Sequence, residues 1–268
     1  MNDMQRNKTG MTVTQRASSI KQPRGGYVKR REFDETSLGI GEDELNENEN
    51  IHGSLIGISV DYLTRYMLTH DLRGSFAISL LGASNVKDTV TAERLLKSIK
   101  GLDDTSILNA LKLAGFDAAY RSGASSYVPV SMINPDAASI KNIRIMVERT
   151  MSFFEEYGPV TSYGFSFPGA YTKTIINGDG DYLTENTLWD LKALKNNFAK
   201  KHTMQLLIYW RMGLRSDCVR FKKIKYLGIF NPRKNIAYRY NLEDLDSETI
   251  DIIDEDIIGY DKSFIIWW

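Results

Sequence analysis

The chain has 268 residues, 42% of them hydrophobic and 25% charged, and 34 Lys and Arg balance 34 Asp and Glu to a net charge of zero. This is the composition of an ordinary globular chain with room for one large domain or two small ones, and the zero balance is not the footprint of a general nucleic-acid binder. One cysteine, Cys218, excludes an internal disulfide; three scattered histidines exclude a tight zinc motif. With no apolar run near about 18 residues and no signal-peptide core, a cytoplasmic protein without membrane contact is expected.

Residues 1–50 carry charge in blocks. Eight Lys or Arg stand in 1–31 against one acid, Asp3, and eight acids with no base follow in 32–50. Few aromatics and no hydrophobic period predict a disordered or loosely attached arm. Such an arm is either a solvated tail or a basic holder of phosphate backbones. Residues 51–133 read as a helical N-terminal region. Leu55, Ile58, Tyr62 and Tyr66 set a helix from Ser54 to Leu68. Phe76 to Leu81, Ala92 to Ile99 and Ser106 to Ala114 continue the helical pattern, and Ser122 to Pro135 is a connector.

An α/β core is expected over 134–268. Asn134-Pro135-Asp136 opens a helix that runs to Tyr157 and stops at Gly158-Pro159. Its buried stripe is Ile143, Met146, Val147, Thr150, Phe154 and Tyr157, with Glu148 and Glu155 on one flank. Tyr163 to Tyr171 is the expected first core strand, and Lys173 to Ile176 the run into the second. Further on, Ile224 to Phe230 is apolar enough for a sheet interior, Ile236 to Tyr240 is an outer strand, and Ser247 to Ile258 is a helix. The terminal Phe264 to Trp268 is apolar enough to dock on the body or meet a protein partner.

Between these elements lies the stretch with chemistry. Gly178 to Leu183 and Leu188 to Lys192, joined by Thr184-Glu185-Asn186-Thr187, form a β-hairpin pattern. A tip at Glu185-Asn186 sets Thr184 against Thr187, Leu183 against Leu188 and Asp181 against Asp190. Side chains alternate, so Asp190 and Lys192 share a face that Asp181 joins from the opposite strand. Opposed like charges destabilise a hairpin. A shared divalent cation resolves the conflict, because Mg²⁺ is bound by one or two carboxylates with water and substrate phosphate. The plain alternative is a solvated hairpin. A calcium loop starting at Asp179 is excluded, because Leu183 and Thr184 stand where an oxygen ligand and glycine belong.

His202 to Met212 reads as a helix with Gly213 as its stop. His202, Gln205, Tyr209 and Met212 line one face of it. Gly-Asp-Gly-Asp, then Asp-x-Lys, then Gln-x-x-x-Tyr resembles the PD-(D/E)XK nuclease superfamily, most of all its RecB and lambda-exonuclease branch, over residues 160–240. That resemblance implies a small mixed sheet flanked by helices and metal-dependent cleavage of DNA, exonuclease-like in character. Asp181, Asp190 and the Leu191 carbonyl would hold Mg²⁺ or Mn²⁺. Lys192 would position water or offset developing charge, and Gln205 and Tyr209 would brace Lys192 or touch phosphate, with His202 assisting.

The same resemblance makes Glu148, then Glu155, the candidate acid on the helix before the first strand. Gly57-Ile58-Ser59-Val60-Asp61 places Asp61 where the branch carries a histidine ligand, so Asp61 is either a metal ligand or a solvated or capping residue. The lone cysteine excludes the iron–sulfur cluster of some branch members, and Gly164-Phe165-Ser166-Phe167 lacks the usual first-strand glutamate. These departures keep a second reading open: a nuclease-fold protein without turnover that binds nucleic acid or serves assembly.

Overall fold

The computed structural model describes residues 10–39 and 44–261. Arg6 and Lys8 of the basic block and the apolar run at 264–268 lie outside the described residues. The chain opens with β1 (Met11–Thr12), α1 (Val13–Ser19) and β2 (Asp34–Ser37). A helical region follows: α2 (Gly53–Thr69), α3 (Leu72–Ser75), α4 (Ala77–Asn85), α5 (Thr89–Lys97), α6 (Asp104–Ala114) and α7 (Asp117–Arg121). Then come α8 (Ala137–Tyr157), β3 (Ser162–Phe165), β4 (Ile175–Asn177), β5 (Gly180–Leu183) and β6 (Thr187–Leu191). The chain continues through α9 (Lys200–Arg215), β7 (Tyr226–Asn231), β8 (Ile236–Asn241) and α10 (Ser247–Ile252), which runs on into one π-helical stretch, Ile253–Ile258.

The fold is mixed α/β. Six strands form one sheet in the order β2-β8-β7-β6-β5-β3. β6 and β7 are parallel and joined through α9, while the other pairings are antiparallel. The hairpin has the register expected from its turn: Leu183 pairs with Leu188, Tyr182 with Trp189, and the Thr184 amide donates to the Thr187 carbonyl at 3.0 Å. Alternation along the strands then sorts the two faces. Tyr182, Trp189 and Phe230 turn toward α8, where Phe153 stacks on Phe230 at 4.1 Å and meets Trp189 edge-on at 4.8 Å. Leu183, Leu188, Leu227 and Ile229 turn toward α9 and pack with Met204, Leu207 and Ile208. Asp181 and Asp190 fall on that second face.

Helix ends follow local chemistry. The Asp136 side chain accepts from the Ser139 amide at the start of α8, and Gly158-Pro159 ends it. Of the expected stripe, Ile143, Met146, Val147, Thr150 and Phe154 are buried, and Tyr157 is half-buried. Gly213 is not a stop. α9 runs through it to Arg215, and a Cβ at Gly213 would lie 2.0 Å from the Phe221 ring, so its missing side chain is a packing requirement.

Three strand-level expectations are corrected. Residues 10–39 are not a loose arm. Val13, Ala17, Val28 and Phe33 are buried in the α9-side core, and β2 pairs along its whole length with β8. β8 is therefore an interior strand, and β2, with the polar sequence Asp-Glu-Thr-Ser, is the sheet edge. Charged residues suit that position because they discourage pairing with another chain. Finally, the run at Ile175–Asn177 does not enter the main sheet but pairs in parallel with β1. Both partners of that small ribbon depend on a contact across some 160 residues, which no local pattern reports.

Candidate active site

A cleft of about 600 Å³ opens between the helical region and the sheet. Gly53, Ser54, Gly57 and Asp61 of α2, with Arg121 at the end of α7, line one side. Asp181, Leu191, Lys192, Gln205 and Tyr209 line the other. Asp179, just before β5, and the basic residues Lys195 and Arg233 also face it.

Asp190 sits at the C-terminal end of β6, 1% exposed. Lys192 Nζ donates to its Oδ1 at 2.8 Å and lies 2.7 Å from Oδ2. One ammonium thus lies within ion-pair distance of both Asp190 oxygens. Gln205 Nε2 approaches Oδ1 at 3.4 Å and donates to the Tyr209 hydroxyl at 2.9 Å. Gln205 thus reaches Asp190, with Tyr209 behind it, and both line the cleft. Burial pushes the Asp190 carboxyl up to about 7; Lys192 opposes the shift and Asp181 adds to it. Burial alone would lower the Lys192 ammonium, but Asp190 and Asp181 outweigh it and the group is raised.

Asp181 Oδ2 accepts the Leu191 amide at 2.8 Å, and its Oδ1 lies 3.7 Å from Arg65 Nη2. Asp61, one turn before Arg65 on α2, is gripped by it: Nε to Oδ1 at 3.0 Å and Nη2 to Oδ2 at 2.6 Å. The Tyr182 hydroxyl donates to Asp61 Oδ1 at 2.7 Å. Burial pushes the Asp61 carboxyl up to about 6, with Arg65 opposing and Asp181 reinforcing. Gly164 makes room for this guanidinium. Its φ is +54°, and a Cβ there would lie 2.5 Å from Arg65 Nη1. The first strand, which lacks the glutamate usual in the branch it resembles, thus offers space for an arginine.

Asp181, Asp190, Leu191, Lys192, Gln205, Tyr209 and Asp61 are brought together. Glu148 is not: it is exposed on α8 and does not line the cleft, and Glu155 is exposed as well. Both stand on the flank of α8 that faces away from its buried stripe. His202 also stays out of the cleft; its Nδ1 accepts the Ala199 amide at the start of α9. Burial, Lys192 and Lys201 hold it down to about 4, so it is neutral at physiological pH. Two residues went unnoticed in the sequence, Arg65 and Arg121. Each follows an aspartate by four residues, Asp61 and Asp117, and that spacing marks a helical ion pair.

The donor set can be tested against a hard divalent cation. Asp181 and Asp190 stand on one face and could supply the one or two carboxylates that such an ion takes, with the Lys192 ammonium, 2.7 Å from Asp190 Oδ2, as the cation that now neutralises the pair. Among the described residues no group of three His, Cys, Asp or Glu side chains converges to hold a metal ion. No protein-family model, no curated protein and no solved structure matches this chain. Among the described residues no helix is long and apolar enough to cross a membrane.

Proposed function

We propose that this chain is a Mg²⁺- or Mn²⁺-dependent deoxyribonuclease of the PD-(D/E)XK type, exonuclease-like and acting in the cytoplasm. The observation that carries the reading is the convergence of Asp181, Asp190 and Lys192 on one face of a hairpin, with the Lys192 ammonium against both Asp190 oxygens. The order of elements supports it too: a long helix, an antiparallel run of three strands, the Gln205 helix, and a parallel fourth strand.

Asp181 and Asp190 would hold the cation, with the Leu191 carbonyl as a further donor. When bound, the ion polarises the scissile phosphate and lowers the pKa of water. Lys192 is the ammonium at hand to orient that water and to offset charge that develops on the phosphate. Gln205 and Tyr209 keep Asp190 in place from α9. Arg65 keeps Asp61 out of the donor set by taking both of its oxygens. That clamp is also what favours the second reading, a nucleic-acid-binding or assembly protein of the same fold without turnover.

Linear and closed circular DNA, each incubated with Mg²⁺, Mn²⁺ or EDTA, separate the two. Loss of linear DNA with metal and none in EDTA is the expected result. Nicking of circles would change exonuclease to endonuclease. Silence with every substrate and ion would overturn the hydrolytic reading and leave the binding protein.

A further inference from the structure

Asp117 has no part in the hydrolytic scheme, yet it is a carboxylate only 2% exposed. A buried carboxylate is costly unless it is paired and hydrogen-bonded. Here the Tyr62 hydroxyl and the Ser79 hydroxyl both donate to it at 2.6 Å, and Arg121 Nε donates at 3.3 Å. Three elements, α2, α4 and α7, thus converge on one group whose visible effect is to fix the inner edge of a guanidinium.

The outer edge faces the cleft. Arg121 Nη2 lies 3.5 Å from the Tyr62 hydroxyl and 3.4 Å from Asp179 Oδ2. Nη1 makes no hydrogen bond among the described residues. The side chains of Arg121 and Asp179 are 40% and 41% exposed. An ion pair that open is weak, and an entering anion can replace the carboxylate. Asp179 stands two residues before Asp181, and the Arg121 guanidinium and Asp181 line the same cleft.

We propose that Arg121 forms a phosphate-binding subsite of the cleft, anchored from behind by Asp117, Tyr62 and Ser79, that takes a backbone phosphate of a nucleic-acid strand next to the one at Asp181 and Asp190. A planar guanidinium offers two parallel donors to a phosphate, which an ammonium does not. With no ligand bound, Asp179 occupies the subsite as its internal competitor. The identity of the ligand as a nucleic-acid strand rests on the hydrolytic reading; the built guanidinium does not.

The test is binding of a fluorescein-labelled single-stranded DNA in EDTA, where nothing is cleaved, across a salt series. Arg121→Gln should bind about tenfold more weakly, as for a lost charge-assisted contact, and its log–log salt slope should be shallower by about 0.7. Arg121→Lys should restore the slope but only part of the affinity. Asp179→Asn should bind more tightly than wild type, because the competitor is gone. Asp117→Asn should weaken binding and leave the slope nearly unchanged, the mark of a positioning residue. Equal binding by Arg121→Gln and wild type, or weakening by Asp179→Asn, would overturn the subsite. Cleavage assays on the same proteins keep the two ideas apart. An Arg121 effect on binding with no metal-dependent cleavage by wild type would remove the nuclease and leave the subsite standing.

Discussion

Asp190→Asn should shift thermal stability in opposite directions with and without a divalent cation. In EDTA at pH 8 the variant is expected to melt above the wild type. Burial and Asp181 hold the Asp190 carboxyl at about 7, against an ordinary value of 3.8. A group raised in the folded state contributes stability that is full below its unfolded pKa and lost as pH rises through the folded one. The advantage of asparagine should therefore be absent near pH 4, grow toward pH 7 and level off above it. The lost partner of Lys192 subtracts from that advantage, so an increase of the size of other cross-strand pairs, ~0.2–1 kcal/mol, is expected.

Asp61, pushed up to about 6, titrates in the same window, so the difference between the two proteins, not either curve alone, assigns the effect to Asp190. With Mn²⁺ a hundredfold above its dissociation constant the wild type should gain about 2.7 kcal/mol, and the variant should gain little. Equal responses to Mn²⁺ would mean that Asp181 and Asp190 are not a metal pair.

Lys192→Met should cost the largest factor in turnover, about a hundredfold or more, as when one donor to developing charge is removed. Its effect on metal binding should differ from that of Asp190→Asn. With no ammonium 2.7 Å from Oδ2, the carboxylate is free for the cation once ionised. The same loss removes the group that opposes the rise of the Asp190 carboxyl, so metal binding should need higher pH than in the wild type. Turnover within a few-fold of wild type would reduce Lys192 to a partner that compensates a buried charge.

Much of this site was legible in the chain because its logic is local. The hairpin register follows from one turn, and the face shared by Asp181 and Asp190 follows from strand alternation. Gln205 and Tyr209 stand one helical turn apart and needed only the helix to be recognised. Glu148 shows where that logic stops. Periodicity locates the buried stripe of α8 but says nothing about which remaining flank meets a cleft. Arg65 and Arg121 stand at ion-pair spacing on their helices, a signal the reading of the sequence did not use, and their importance comes from Asp181 and Asp179, which lie 116 and 58 residues away in sequence. The first fifty residues misled for a different reason. Their anchors, Val13, Ala17, Val28 and Phe33, are too sparse to make a period, and β2 is exposed at all four positions and joins β8 through its backbone ladder.

That backbone attachment has a practical side. Phe33 packs on Phe198 at 5.3 Å and Tyr240 at 5.5 Å, and Arg16 donates to the carbonyls of Asp256 and Ile257. A chain shortened to begin at residue 51, as its composition invites, would uncover those rings and bare the outer edge of β8. An unpaired strand edge recruits other strands. Light scattering of the shortened protein is expected to report large particles where the full chain disperses. What composition marks as a dispensable tail closes the outer edge of β8 and the rings beside it.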